Sequence, residues 1–260
     1  MKPYNELLGS RLRCLLLTGL PPHEVARTLM ELAAPYVTID PEPKQDIWMP
    51  RGLLEPLEAR FDRTLRFVPQ ATQKLLIDWW LKVKGSANTP NWDIVSTCTI
   101  EGKLGLLLVE AKAHAKEMGT GGKPREGNEA NHAQIGIAIQ EANTGLNEIM
   151  PGWALQRDAC YQLSNRFAWA WKLASFGIPV VLVYLGFRNA AEMESRGPTF
   201  ATQQDWEMCV KAHAKGIVPE EAWGSRLDIE GTPLIPLLRS LELRFIDTPD
   251  FVALPPTRTS

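Results

Sequence analysis

No stretch of this 260-residue sequence stays apolar for long. The longest runs, Leu104–Val109 and Ile178–Leu185, fall far short of the roughly 20 residues a membrane helix needs. The opening Met1-Lys2-Pro3-Tyr4-Asn5-Glu6 lacks a signal peptide's apolar segment, so a cytoplasmic protein with no membrane partner is expected. An excess of charge is also missing. Lys and Arg number 28 against 30 Asp and Glu, which excludes holding nucleic acid by bulk charge and makes any phosphate ligand depend on a local basic patch. Cysteine is scarce. Cys14, Cys98, Cys160 and Cys209 form no C-x-x-C pair and no zinc spacing, and read as free thiols. No G-x-S-x-G, H-E-x-x-H or Walker motif occurs, so serine-hydrolase, zinc-protease and P-loop chemistries find no support.

What is present suits a globular chain. Apolar residues make up 45% and charged residues 22%, which argues against disorder, and the length allows one or two domains. The first sixty residues look helical. Pro21-Pro22 opens a segment with Val25, Leu29, Leu32 and Ala33 at helical spacing. Tyr36–Pro50, interrupted by prolines, reads as a loop, and Leu53–Leu65 as a second helix. Ala71–Lys84 is a third helix candidate, although Leu75–Val83 also fits a strand. Beyond the turn-rich segment from Gly85 to Asn91, Trp92–Ile100 and Lys103–Ala111 form a hairpin joined by Glu101-Gly102. Its second strand is apolar on both faces, as in a sheet covered on both sides. Asn128–Glu148 and Gln156–Phe176 read as helices, the latter stopped by Gly177 and Pro179. Pro179–Leu185 is a buried strand, Gln203–Lys215 is helical, and Leu227–Ile229 and Leu234–Leu243 are ambiguous. The order suggests an α/β protein with one mixed sheet flanked by helices.

Chemistry concentrates at one end of the hairpin. Antiparallel pairing sets Asp93, at the start of one strand, beside Glu110-Ala111-Lys112, at the end of the other. Alternation points Glu110 and Lys112 to the same face. Two converging carboxylates repel and lose solvation unless a cation joins them. A hard divalent ion that keeps several waters suits such a site. A lysine beside it can orient or deprotonate a water, or stabilise charge on a phosphate. The same acid-x-Lys pattern in Glu42-Pro43-Lys44 and Glu101-Gly102-Lys103 lies among prolines or in a turn and carries no such context.

Residues 55–187 resemble the PD-(D/E)XK, or restriction-endonuclease-like, nuclease superfamily. Asn91-Trp92-Asp93 stands where the family has Pro-Asp, and Glu110-Ala111-Lys112 matches E-x-K. Gln162 and Arg166, one turn apart, fit the polar pair on the helix before the next strand. Trp92 replaces the common proline, and the helix Asn128–Glu148 is extra. The resemblance implies a restriction-endonuclease-like core at 55–187, a helical extension at 1–54 and C-terminal elements at 188–260 packed on the core. It implies a nuclease acting on DNA or RNA with Mg²⁺ or Mn²⁺ held by Asp93, Glu110 and the Ala111 carbonyl, and it is compatible with a homodimer. Asp93, Glu110, Lys112 and Gln162 would be catalytic. A third acid would be Glu58 or Asp78. Arg166, His114, Lys123 and Arg125 would contact substrate, the last two from a glycine-rich loop. The competing reading is an inactive nucleic-acid-binding or protein-interaction module on the same fold.

Overall fold

The hairpin read from the sequence lies within a larger sheet. In the computed structural model, which describes residues 8–43, 47–63, 67–84, 87–124 and 128–243, β1 (Val37–Thr38) and β2 (Trp48–Met49) both pair antiparallel with β3 (Ile94–Ile100). β3 pairs antiparallel with β4 (Lys103–Lys112), from Ile94 opposite Val109 to Ile100 opposite Lys103. The turn between them puts Glu101 at φ 49° and Gly102 at φ 77°, the pair of positive angles that a tight two-residue hairpin loop requires. β4 then pairs parallel with β5 (Val180–Arg188), β5 parallel with β7 (Thr232–Glu242), and β7 antiparallel with β6 (Leu227–Ile229). The result is a mixed seven-stranded sheet in the order β1-β3-β4-β5-β7-β6, with β2 also on β3.

Both faces are covered, as the doubly apolar β4 requires. Leu106 and Leu108 pack with α3 (Gln70–Trp80), α4 (Glu129–Ile149), α5 (Tyr161–Ser175) and α6 (Gln203–Ala214). Leu107, Val109 and Ala111 pack with α1 (Gly9–Thr18) and α2 (Pro22–Ala33) on the other face. The sheet crosses both expected boundaries: β1 and β2 precede residue 55, and β6 and β7 follow residue 187. No helix among the described residues is long and apolar enough to cross a membrane.

Several local expectations are corrected. No helix forms within the described part of Leu53–Leu65. Arg51 bridges Glu55 instead, and the Trp92 N–H donates to the Ala59 carbonyl at 3.0 Å, so cross-chain pairing overrides helical propensity. Tyr36–Pro50 is not purely a loop, because β1 and β2 satisfy backbone groups along the edge of β3. The strand alternative for Leu75–Val83 fails. This segment begins inside α3, with Leu76 and Trp80 buried and Leu75 and Val83 exposed. α5 starts at Tyr161 rather than Gln156, because the N–H groups of Cys160 and Tyr161 donate to the Thr120 and Gly121 carbonyls instead of forming an earlier turn. Its expected stop holds. Gly177, at φ 78°, donates to Ala174, and Ile178 donates to Leu173, the paired bonds of a Schellman ending. The ambiguous C-terminal segments become β6 and β7.

Candidate functional site

The strand end of the hairpin gathers the expected side chains on the α3–α6 face. Asp93 immediately precedes β3, and its Oδ2 accepts the Ala111 N–H at 2.7 Å. Glu110, 1% exposed, lies between two cations. Its Oε1 accepts from Lys112 Nζ and its Oε2 from Arg166 Nε. Lys112 Nζ also donates to Gln162 Oε1 at 3.0 Å. Gln162 and Arg166 reach this point because α5 packs along the strand end. Phe167, Ala168 and Trp169, buried around Arg166, bring its guanidinium into the sheet's end rather than to water.

Arg166 is the most connected member. Besides Glu110, its two terminal nitrogens donate to the Asn91 carbonyl at 2.7 Å and to Asn165 Oδ1 at 2.8 Å. Its guanidinium stands 4.6 Å from the centre of the Trp92 ring. Trp92 therefore provides an aromatic face for the cation. Asn91 and Asn165 are supporting residues that sequence reasoning passed over, although each adjoins a residue it singled out.

Charge is unevenly distributed over the cluster. Burial pushes the Asp93 carboxyl up to about 7, and the charges of Glu110 and Glu58 add to this, with Lys112 and the Ala111 N–H opposing. Glu110 moves the other way: burial disfavours its charge, but Arg166 and Lys112 hold it below the ordinary carboxylate value. Burial likewise disfavours the Lys112 ammonium, yet Glu110 and Asp93 hold it above the ordinary lysine value. Lys112 is thus a charged donor as the site stands.

Of the two candidate third acids, Glu58 is the one at the cluster. Its Oε2 accepts from Asn91 Nδ2 at 2.8 Å, and its charge is felt at Asp93. It sits on an extended segment, not on a helix. Asp78 lies on α3, paired with the exposed Lys84. Lys123 flanks the start of α5, its Nζ 5.5 Å from the centre of the Tyr161 ring. His114 is buried beyond the end of β4, its Nε2 3.7 Å from Glu117 Oε1. Arg125 lies outside the described residues.

Two further groups border the cluster and have no motif to reveal them. Tyr184 stands opposite Glu110 in the β4–β5 register, with its hydroxyl buried and, among the described residues, without a hydrogen-bond partner. Burial and the Glu110 charge raise its phenol well above the usual value. His213 on α6 is held below the ordinary imidazole value by burial and by the charge of Lys112. Only the three-dimensional return of α6 onto β5 and β7 brings it there.

Among the described residues, no group of three or more His, Cys, Asp and Glu side chains is arranged to hold a metal ion. The donors at the strand end are Asp93 and Glu110, with Glu58 linked through Asn91. No protein-family model, curated protein or solved structure matches the chain.

Proposed function

We propose that the protein is a divalent-metal-dependent nuclease on a restriction-endonuclease-like core, hydrolysing phosphodiester bonds of DNA or RNA. The observation that carries this reading is the convergence of Asp93, Glu110 and Lys112 at one strand end, backed by Gln162 and Arg166 from α5.

The donor set suits Mg²⁺ or Mn²⁺ better than an ion that needs a full protein cage. Mg²⁺ characteristically takes one or two carboxylates and completes its shell with waters and substrate phosphate. Asp93, Glu110 and the Ala111 carbonyl would hold it. The upward shift of Asp93, caused first by burial and then by the charges of Glu110 and Glu58, marks a carboxyl whose charged form a bound cation would stabilise. When bound, the metal supplies a polarised phosphate and a more acidic water. Lys112, kept protonated by its neighbours, would hold a water or a phosphate oxygen by donation rather than remove a proton. Gln162 fixes the Lys112 ammonium, and Arg166 orients Glu110.

One observation favours the inactive-module reading. Both Glu110 oxygens are already engaged by Lys112 and Arg166, so the cluster can stand as a self-contained ion network. Cleavage separates the two. Plasmid, single-stranded DNA and RNA are incubated with Mg²⁺ or Mn²⁺ and wild type, Lys112→Ala or Asp93→Ala, with folding checked by circular dichroism. Wild type should cleave at least one substrate. Each variant should lose about 10²–10³-fold, the scale for removing one charge-stabilising group from an active site. Equal cleavage by all three proteins would place the activity elsewhere, and no cleavage by wild type would favour the inactive module.

A further inference from the structure

Past the end of β4 the chain runs through His114 into a single 3-10 turn, Ala115–Glu117, and the segment 194–199 lies over it. The Ala115 N–H donates to the Pro198 carbonyl at 2.8 Å and ties the two together. Between them opens a surface cavity of about 400 Å³ lined by Lys116, Ser195, Arg196, Gly197 and Thr199, with Glu194 also on its wall. Lys116 and Arg196 are exposed, and among the described residues neither side chain has an ion-pair partner. Some surface cations are already engaged, Lys211 with Glu220 and Arg226 with Glu101 and Asp228, whereas Lys116 and Arg196, among the described residues, stand free beside one cavity.

His114 lies under this cavity. Its side chain is 8% exposed and its Nδ1 has no hydrogen-bond partner among the described residues, which is costly for a buried polar atom. Nδ1 rests against Gly197, where an added Cβ would come within 2.9 Å of it. The missing side chain at Gly197 keeps this nitrogen next to the cavity floor. Two cations and two hydroxyls on the cavity wall, against the single carboxylate of Glu194, with the His114 ring behind Gly197, make a donor set for an anion with several oxygens.

We propose that this cavity is a phosphate subsite. Resting on the nuclease reading above, it would take a backbone phosphate of the strand whose scissile phosphate lies at Asp93 and Lys112. Lys112 and Ala115 are three residue steps apart, about 10 Å if extended, a span that neighbouring phosphates of one strand can bridge.

Two measurements on the full chain test it. Inorganic phosphate is titrated into ¹⁵N-labelled protein while the ring nitrogens of His114 are followed by NMR. A saturating shift is expected in wild type and none in the Lys116→Ala/Arg196→Ala double variant, whose changes are on the surface. Separately, binding of a fluorescein-labelled DNA duplex is followed by anisotropy in EDTA across about 50–200 mM salt. The double variant should bind about tenfold more weakly, with the slope of log K against log salt shallower by about 1–2. The same His114 shift in both proteins, or equal affinity and slope, would overturn the subsite and leave the nuclease reading untouched. A phosphate response that the double variant loses, with no nucleic-acid binding or cleavage, would support the phosphate site, assign it to small phosphate esters, and overturn the nuclease reading instead.

Discussion

Arg166→Met should destabilise the protein by about 3–5 kcal/mol, the usual cost of removing one partner from a buried ion pair. Methionine matches much of arginine's length, so the loss falls on polar contacts rather than on volume. Glu110, 1% exposed, would keep only Lys112, and the carbonyl of Asn91 and the side chain of Asn165 would each lose a donor. The Trp92 ring would lose its cation. Arg166→Lys should recover little, because the three donors of an ammonium radiate from one nitrogen and cannot span partners that the guanidinium reaches from three separate nitrogens. Urea denaturation at neutral pH reads the effect. The Glu110→Gln/Arg166→Met double variant should lose less than the sum of the two single changes, since the carboxylate and the guanidinium go together and the remaining Lys112 ammonium keeps Gln162 and the charge of Asp93. A loss under about 1 kcal/mol for Arg166→Met would mean that Glu110 does not depend on this partner.

Asp93→Asn should separate stability from activity. The folded protein holds the Asp93 proton up to about pH 7, whereas the unfolded chain releases it near pH 3.9. Between those values the folded state binds more protons, so wild-type stability contains a component that is full below about pH 4 and is lost as pH rises through 7. The component is at most about 4 kcal/mol, one pH unit being worth about 1.4 kcal/mol. Asparagine carries no charge at any pH, and its carbonyl oxygen can still accept the Ala111 N–H that Asp93 accepts at 2.7 Å. The variant should therefore match wild type near pH 4 and exceed it by about 2 kcal/mol or more at pH 8. Metal-dependent cleavage should fall by about 10²-fold or more. A residue that lowers stability at working pH while supporting catalysis follows the usual trade-off at active sites. Parallel stability profiles from pH 4 to 8 would remove the case for a charge-stressed carboxyl.

The candidate site was legible because hairpin pairing is a local rule. Once Glu101-Gly102 fixed the turn, register alone brought Asp93 to Glu110 and Ala111 across seventeen positions. Alternation then assigned Glu110 and Lys112 to one face, and helical spacing did the same for Gln162 and Arg166. The non-helical course of the described part of Leu53–Leu65 was not legible. The apolar spacing suits a helix, but Leu54 and Leu57 are exposed, and pairing of Ala59 with Trp92 holds the chain. That pairing also accounts for Glu58, which reaches the cluster from an extended segment through Asn91. Asn91, Asn165, Tyr184 and His213 stayed hidden for a related reason. Each acquires its role from an element packed against it, and no spacing within one strand or helix encodes that contact.

On the proposed reading, Asp93 and Glu110 form a place for a divalent cation rather than a finished ion network. Titrating Mn²⁺ into the protein and following the free ion by electron paramagnetic resonance tests this without any nucleic acid. Wild type should remove one Mn²⁺ per chain from the free signal, with Mg²⁺ competing. The Asp93→Asn/Glu110→Gln variant, which circular dichroism must find folded, should remove none. Equal uptake by both proteins, or none by wild type, would contradict the claim and leave Lys112 and Arg166 as the only cations that Glu110 serves.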